Sequence, residues 1–356
     1  MTDSTAARVI IASLRRVVEP MHAVLSAYVA APPLSGTRPM GDVEHRWLTL
    51  ADRARAQGID ERTLDAVWAP LCSAAAVGDG AAVFARDGRV LFDQRMPRGT
   101  VNEAVTVGAP AHVVPLLAWL PSLVPYVVVS TDRTGADISG SYDSLHPIAP
   151  VRVDGPDDEI TGTVARVVRA FDARLLVVAG EDRITRLLDK EFSAPARCGV
   201  VVEHTRDDRQ PDGSHRDRAA QIAEVVRGFV ADRSAALLAA YTEQHGPSGL
   251  AVEGAHATLT ALAQRRVATL FVTGEAPTGG DAAPASAWFA PSPAAIALNP
   301  AEVFERHQAV RSGPLLDVAV RAALLCGAGV HVVPVGTGVA LADGLGALCR
   351  FPVTPA

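Results

Sequence analysis

The chain has 356 residues, a formal net charge of −6, 49% apolar residues and 20% charged residues. That length provides for two or three domains, and that composition fills their cores and excludes wholesale disorder. The negative balance excludes a protein that wraps nucleic acid over its whole surface, but leaves room for a local arginine patch.

Aromatic residues make up only 5%, so the cores are expected to be Ala, Val and Leu, and Lys190 is the single lysine. Residues 4–18 put Val9, Ile10, Leu14 and Val17 on one helical face. A short strand (HAVLSAYVA) and a Pro/Gly-rich loop follow, then helices around 43–57 and 61–76, the second capped by Asp60. Arg86-Asp87-Gly88, between two β-rich runs, predicts a hairpin. HVVPLLAWLPSLVP reads as a short helix and connector, with a boundary near 122.

Tyr126–Asp137 (YVVVSTDRTGAD) opens the next region. Val127–Val129 predicts a strand, and ISGSYD continues with period two after a polar turn. LHPIAPVRVDGPDDE reads as a Pro-rich loop. A helix follows, with Ile160, Val164, Val167, Val168 and Phe171 on one face. ARLLVVAG, EDRITRLLDKEF and GVVVEH read as strand, helix and strand, an alternation that predicts an α/β layer with a parallel element. A polar loop then leads to a long helix from Ser214 to about His245. The last region reads as a helix at about 252–265, a strand (ATLFVTG), a loop from 275 to 293, a helix at about 313–326, and strands at GVHVVPV and ALCRF.

Four cysteines (Cys72, Cys198, Cys326, Cys349) form no CxxC pair and read as core thiols in a reducing compartment. The apolar run Val9–Leu14 is too short for a signal-peptide core, and no stretch reaches the roughly 18 apolar residues of a membrane span. A cytoplasmic protein without membrane contact is expected.

Two motifs are weighed for chemistry. Asp132-Arg133-Thr134-Gly135 sits where an aspartyl nucleophile would, at a strand tip, but the next β-run begins at once, so Asp132 reads as a turn residue. The alternative is a metal-dependent phosphohydrolase or nuclease using Asp132, Asp137 and Asp143; their mixed parity along one hairpin argues against a shared face. Asp208, Gln210, Asp212 and Gly213 start a calcium-loop pattern, but Ala219 stands where its closing Glu belongs. No catalytic residue, metal ligand or cofactor is nominated.

The order of these pieces resembles the archaeo-eukaryotic class 1 release factor and Pelota family. It is most similar to the bacterial branch, which includes mycobacterial stress-linked proteins and the hibernation factor Balon. The likeness rests on PYVVVSTDRTGADISG, RLLVVAGEDRITRLL, AVEGAHATLTALAQRRVATLFVTG, GPLLDVAVRAALLCGAGVHVVPV and GLGALCRF. It implies an α/β protein of three domains: an N-terminal α+β domain (1–122), a ribonuclease-H-like middle domain (123–246) and an L7Ae-like C-terminal domain (247–356). It also implies a ribosome partner, through the A site and rRNA, in stress or hibernation, with elongation factor Tu or another translational GTPase. The family's Gly-Gly-Gln release loop would fall within LHPIAPVRVDGPDDEIT, which contains no such triplet, so peptide release is not implied. Arg152, Arg206, Arg209 and Arg216 are the candidates for RNA phosphate contact; the alternative is that they balance Asp207, Asp208, Asp212 and Asp217 on a solvated face.

Overall fold

A computed structural model describes residues 4–31, 39–132, 134–141, 147–180, 182–192, 201–204, 214–246, 249–274, 285–304 and 308–352. The first region contains α1 (Thr5–Val18), β1 (Val24–Val29), α2 (Pro39–Ala56), α3 (Glu61–Ala76), β2 (Gly80–Arg86), β3 (Arg89–Met96), β4 (Ala104–Gly108) and α4 (Val114–Trp119). Its strands form an antiparallel sheet in the order β3-β2-β1-β4. Helices α2 and α3 lay Trp47, Leu50, Val67 and Leu71 on one face of this sheet, against Leu25, Ala27 and Val83. Asp60 caps α3 as expected, accepting the Thr63 N–H at 3.0 Å. The expected hairpin turns at Asp87 and Gly88, with φ of 52° and 72°, the left-handed pair that a two-residue β-turn requires.

The second region contains β5 (Tyr126–Thr131), β6 (Gly135–Ser141), β7 (Pro147–Asp154), α5 (Asp157–Phe171), β8 (Leu175–Gly180), α6 (Asp182–Phe192), β9 (Val201–His204) and α7 (Ser214–Glu243). The sheet order is β7-β6-β5-β8-β9, antiparallel from β7 to β5 and parallel from β5 to β9. Strands β5 and β8 read as unbroken apolar runs because both their faces are covered. Val127, Val129, Leu176 and Val178 pack under α5 and α6 with Ile160, Val164, Ile184 and Leu188. Tyr126, Val128, Leu175 and Val177 face the opposite way, onto Val226 and Phe229 of α7.

One expectation fails here. The Pro-rich stretch read as a loop holds β7, with Pro147 and Pro150 inside it. Proline is tolerated because β7 is the edge strand, where a missing amide hydrogen need not cost a ladder bond.

The third region contains β10 (Ala251–Glu253), α8 (Ala255–Ala263), β11 (Val267–Thr273), β12 (Ser286–Phe289), β13 (Ile296–Ala297), α9 (Pro300–Phe304), β14 (Arg311–Pro314), α10 (Leu315–Leu325), β15 (Gly329–Val333) and β16 (Leu345–Cys349). The main sheet runs β10-β16-β11-β15 and a small one β13-β12-β14. Two more expectations are corrected. The helix expected from 252 is split into β10 and α8 by Gly254, whose φ of 82° no helix allows. The loop expected from 275 to 293 includes strand β12.

Residues 10–119 and 238–356 cluster as one compact unit; residues 120–237, with the N-terminal residues through Val9, form another. Within the first unit, Asp317 on α10 lies 2.8 Å from His112 Nδ1, and Arg321, one turn on, is fully buried. The α/β class inferred from the sequence is the class observed.

Candidate functional site

The turn at Asp132 and the strand carrying Arg152 meet at the edge of the second unit's sheet. Asp132 follows β5 and its N–H donates to the Gly135 carbonyl at 2.9 Å, closing the β5–β6 hairpin. Its Oδ1 accepts the N–H groups of Thr134 and Gly135 at 2.8 and 2.9 Å and the Thr134 hydroxyl at 2.9 Å. This is the Asx-turn geometry that an aspartate favours.

Arg152 stands directly opposite Asp137 in the β6–β7 register, and Asp154 follows two residues on, on the same face. Its Nη2 donates to Asp132 Oδ1 at 2.9 Å and to Thr134 Oγ1 at 2.8 Å, and its Nε donates to Asp154 Oδ1 at 2.7 Å. Asp137 Oδ1 is 3.6 Å from Nη1. These hydrogen bonds, to Asp132 first and then Asp154, hold the guanidinium above its ordinary pKa.

The cluster acts as a latch joining the β5–β6 turn to β7. It brings Asp132 and Asp137 to one guanidinium although their parity differs, because Asp132 belongs to the turn, where strand alternation does not apply. The described carboxylates beside Arg152 are Asp132, Asp137 and Asp154.

As a reaction centre the cluster is poorly arranged. Asp132 Oδ1 is engaged by two backbone amides and a guanidinium, and among the described residues no group of three or more His, Cys, Asp or Glu could hold a metal ion. Asp143, Arg206 and Arg209 lie outside the described residues. Arg216 falls in the first turn of α7. Of the four arginines singled out in the sequence, Arg152 alone has described side-chain surroundings. Where the resemblance would place a release loop, the described chain builds β7 and then α5. Among the described residues no helix is long and apolar enough to cross a membrane.

Residues 158–247, from α5 through the end of α7, match the family model described as Bacterial archaeo-eukaryotic release factor family 2. No curated protein matches the chain. Among solved structures, Pelota of Archaeoglobus fulgidus aligns at 12% identity over 97% of this chain and 92% of that one, with a TM-score of 0.39. Dom34 of S. cerevisiae, a translation termination-like factor interacting with Hbs1, aligns at 9% identity over 78% and 82%, with a TM-score of 0.40. The archaeal translation termination factor aRF1 aligns at 15% identity over 97% of each chain, with a TM-score of 0.22. The match over residues 158–247 gives the chain's middle region a likeness to the bacterial archaeo-eukaryotic release factor families.

Proposed function

We propose that the chain is a ribosome-binding translation factor of the release factor and Pelota kind that works without peptide-release chemistry. It acts at the ribosomal A site under stress or hibernation, with elongation factor Tu or another translational GTPase as its partner. The observation that carries this reading is the family match over residues 158–247. The sequence adds that no Gly-Gly-Gln is present in the segment where the family would hold it. Phosphate contact in this reading falls to Arg206, Arg209 and Arg216 around the start of α7, with Arg152 as the weakest member, since three carboxylates offset its charge.

The deciding experiment is sedimentation of the tagged protein through a sucrose gradient of stationary-phase lysate. The expected result is co-migration with ribosomes that weakens steeply between 50 and 200 mM salt, as phosphate contacts do. Recovery only at the top of the gradient at every salt concentration overturns the reading. Purified protein added to stalled ribosomes is expected to leave peptidyl-tRNA intact at the buffer rate; dose-dependent release overturns the second half of the claim.

A further inference from the structure

At one end of the C-terminal sheet β10, β11 and β15 begin, at Ala251, Val267 and Gly329, and β16 ends at Cys349. Helices α8 and α10 finish just before β11 and β15, at Ala263 and Leu325. Three arginines gather here. Arg265 lies in the left-handed turn that follows α8, with φ of 56°. Arg350 and Arg266 are neighbours across β16 and β11, the Arg350 N–H donating to the Arg266 carbonyl at 2.8 Å. Arg265 and Arg350 are exposed, while Arg266 is buried at 7% exposure.

Arg266 holds an aromatic ring in place. Its Nη2 donates to the Phe351 carbonyl and its Nη1 to Gln264 Oε1, both at 3.1 Å, and its Nε has no partner. Its guanidinium carbon lies 6.0 Å from the centre of the Phe351 ring, and Phe351 is 52% exposed. No carboxylate pairs with any of the three arginines among the described residues. Residues 249–252, 255–273, 324–333 and 344–352 contain no Asp or Glu, and Glu253, at the far end of β10, pairs across to Gly346. The charges of Arg265 and Arg350 both reach the Cys326 thiol, where burial is the larger influence and raises its pKa while they lower it.

Cations at the ends of α8 and α10 are stabilised by the helix dipoles, and Arg350 Nη2 donates to the Gly327 carbonyl at 3.4 Å. That accounts for single arginines. It does not account for an exposed ring set among them, in a chain whose net charge is −6.

We propose that this end of the C-terminal sheet binds unpaired RNA, with Arg265 and Arg350 on phosphates and the Phe351 ring stacked on a base. Paired RNA keeps its bases inside the helix and would leave the ring unused, and an acidic peptide would use the charge alone; only an unpaired strand presents a phosphate and a free base face together. The site goes beyond the ribosome reading and holds whether or not the chain engages a ribosome.

The test is fluorescence anisotropy on the full chain, with a labelled uridine dodecamer, a duplex RNA of equal length and a glutamate dodecapeptide, from 50 to 200 mM KCl. Tightest binding to the dodecamer is expected. Arg265→Ala, which removes a side chain with no hydrogen bond of its own, is expected to lower the log–log salt slope by roughly 0.7, and the Arg265→Ala/Arg350→Ala pair by roughly 1.4. Phe351→Ala is expected to weaken binding about five- to 100-fold without changing the slope, and Phe351→Trp to preserve it. Unchanged affinity in both Arg265→Ala and Phe351→Ala overturns the proposal. So does a glutamate peptide that binds as tightly as RNA and is lost in the same variants. Because the probe is free RNA, failure here leaves the ribosome sedimentation result standing, and failure there leaves this one standing.

Discussion

Arg321 Nε donates to the carbonyl of Val18 at 3.1 Å, binding α10 to the end of α1 across 303 positions of sequence. The same guanidinium donates to the carbonyls of Glu19 and Pro291 at 3.1 Å and of Ala290 at 3.3 Å, and lies 5.1 Å from the centre of the Phe289 ring. Burial lowers its pKa while the charge of Glu19 acts in the opposite direction, and the carbonyls at the negative end of α1 also favour the cation. Arg321→Ala strands these acceptors and is expected to cost at least about 3 kcal/mol in urea unfolding. Arg321→Lys should recover less than half, because one ammonium cannot reproduce the fork. A lysine variant as stable as the parent would refute this account.

His331 is the pH-sensitive element of the C-terminal sheet. Burial depresses its pKa to about 4, and its ring meets Phe271 edge-on at 5.7 Å. In the unfolded chain it titrates near 6.5. The unfolded state therefore takes up the proton first as pH falls, so the stability is complete above 6.5 and is lost toward 4. Replacing His331 with Gln should shrink the difference in unfolding free energy between pH 7.5 and pH 5.0 by about 2 kcal/mol. An identical pH dependence in the two proteins would remove His331 from the explanation.

Thr63 couples a helix cap to a hairpin turn. Its hydroxyl donates to Asp60 Oδ2 at 2.9 Å and accepts the Gly88 N–H at 2.8 Å. Thr63→Val keeps the shape but leaves that amide unpaired, at an expected cost of about 1–3 kcal/mol, whereas Thr63→Ser keeps both bonds and should cost less. Amide exchange at Gly88 gives a direct reading: it should accelerate in the valine variant and stay slow in the serine variant.

A Cβ added at Gly346 would stand 2.4 Å from the Tyr241 hydroxyl oxygen and 2.9 Å from its ring carbon. Gly346→Ala is therefore expected to lose about 1–3 kcal/mol by overpacking. Tyr241→Phe, which forfeits the hydrogen bond to the Val252 carbonyl, should lose about 1 kcal/mol alone. In the double variant the removed hydroxyl relieves the closer of the two contacts while the ring carbon stays at 2.9 Å, so the losses should fall short of their sum by more than about 0.5 kcal/mol. Simple additivity would mean that the backbone, not Tyr241, yields to the new methyl.

The elements most legible in the sequence are those whose signal is local. Asp60 announces the α3 cap, Asp87-Gly88 the hairpin, and the apolar runs of β5 and β8 a sheet covered on both faces. Strand β7 is hidden because its prolines signal a loop and only pairing with β6, a tertiary fact, makes it a strand. Strand β10 is hidden because Ala251-Val252-Glu253 continues the pattern of α8, and the break is the conformation of Gly254. The sites divide the same way. Arg152 is visible as a residue, but its partner Asp137 follows from strand register. Arg265, Arg350 and Phe351 become neighbours only once β11 and β16 pair.

Strand β7 exposes Ile148 and Val151, at 44% and 63%, on the outer margin of its sheet. An apolar margin of that kind ordinarily invites a strand from a neighbouring molecule, and a chain of such additions is how native sheets grow into aggregates. Pro147 and Pro150 leave the ladder such a strand would need with missing rungs. The margin can be greasy without being sticky: a side-chain surface remains open to a partner that does not need the backbone, while a second copy of this chain meets a strand in which two of eight residues have no amide hydrogen to offer.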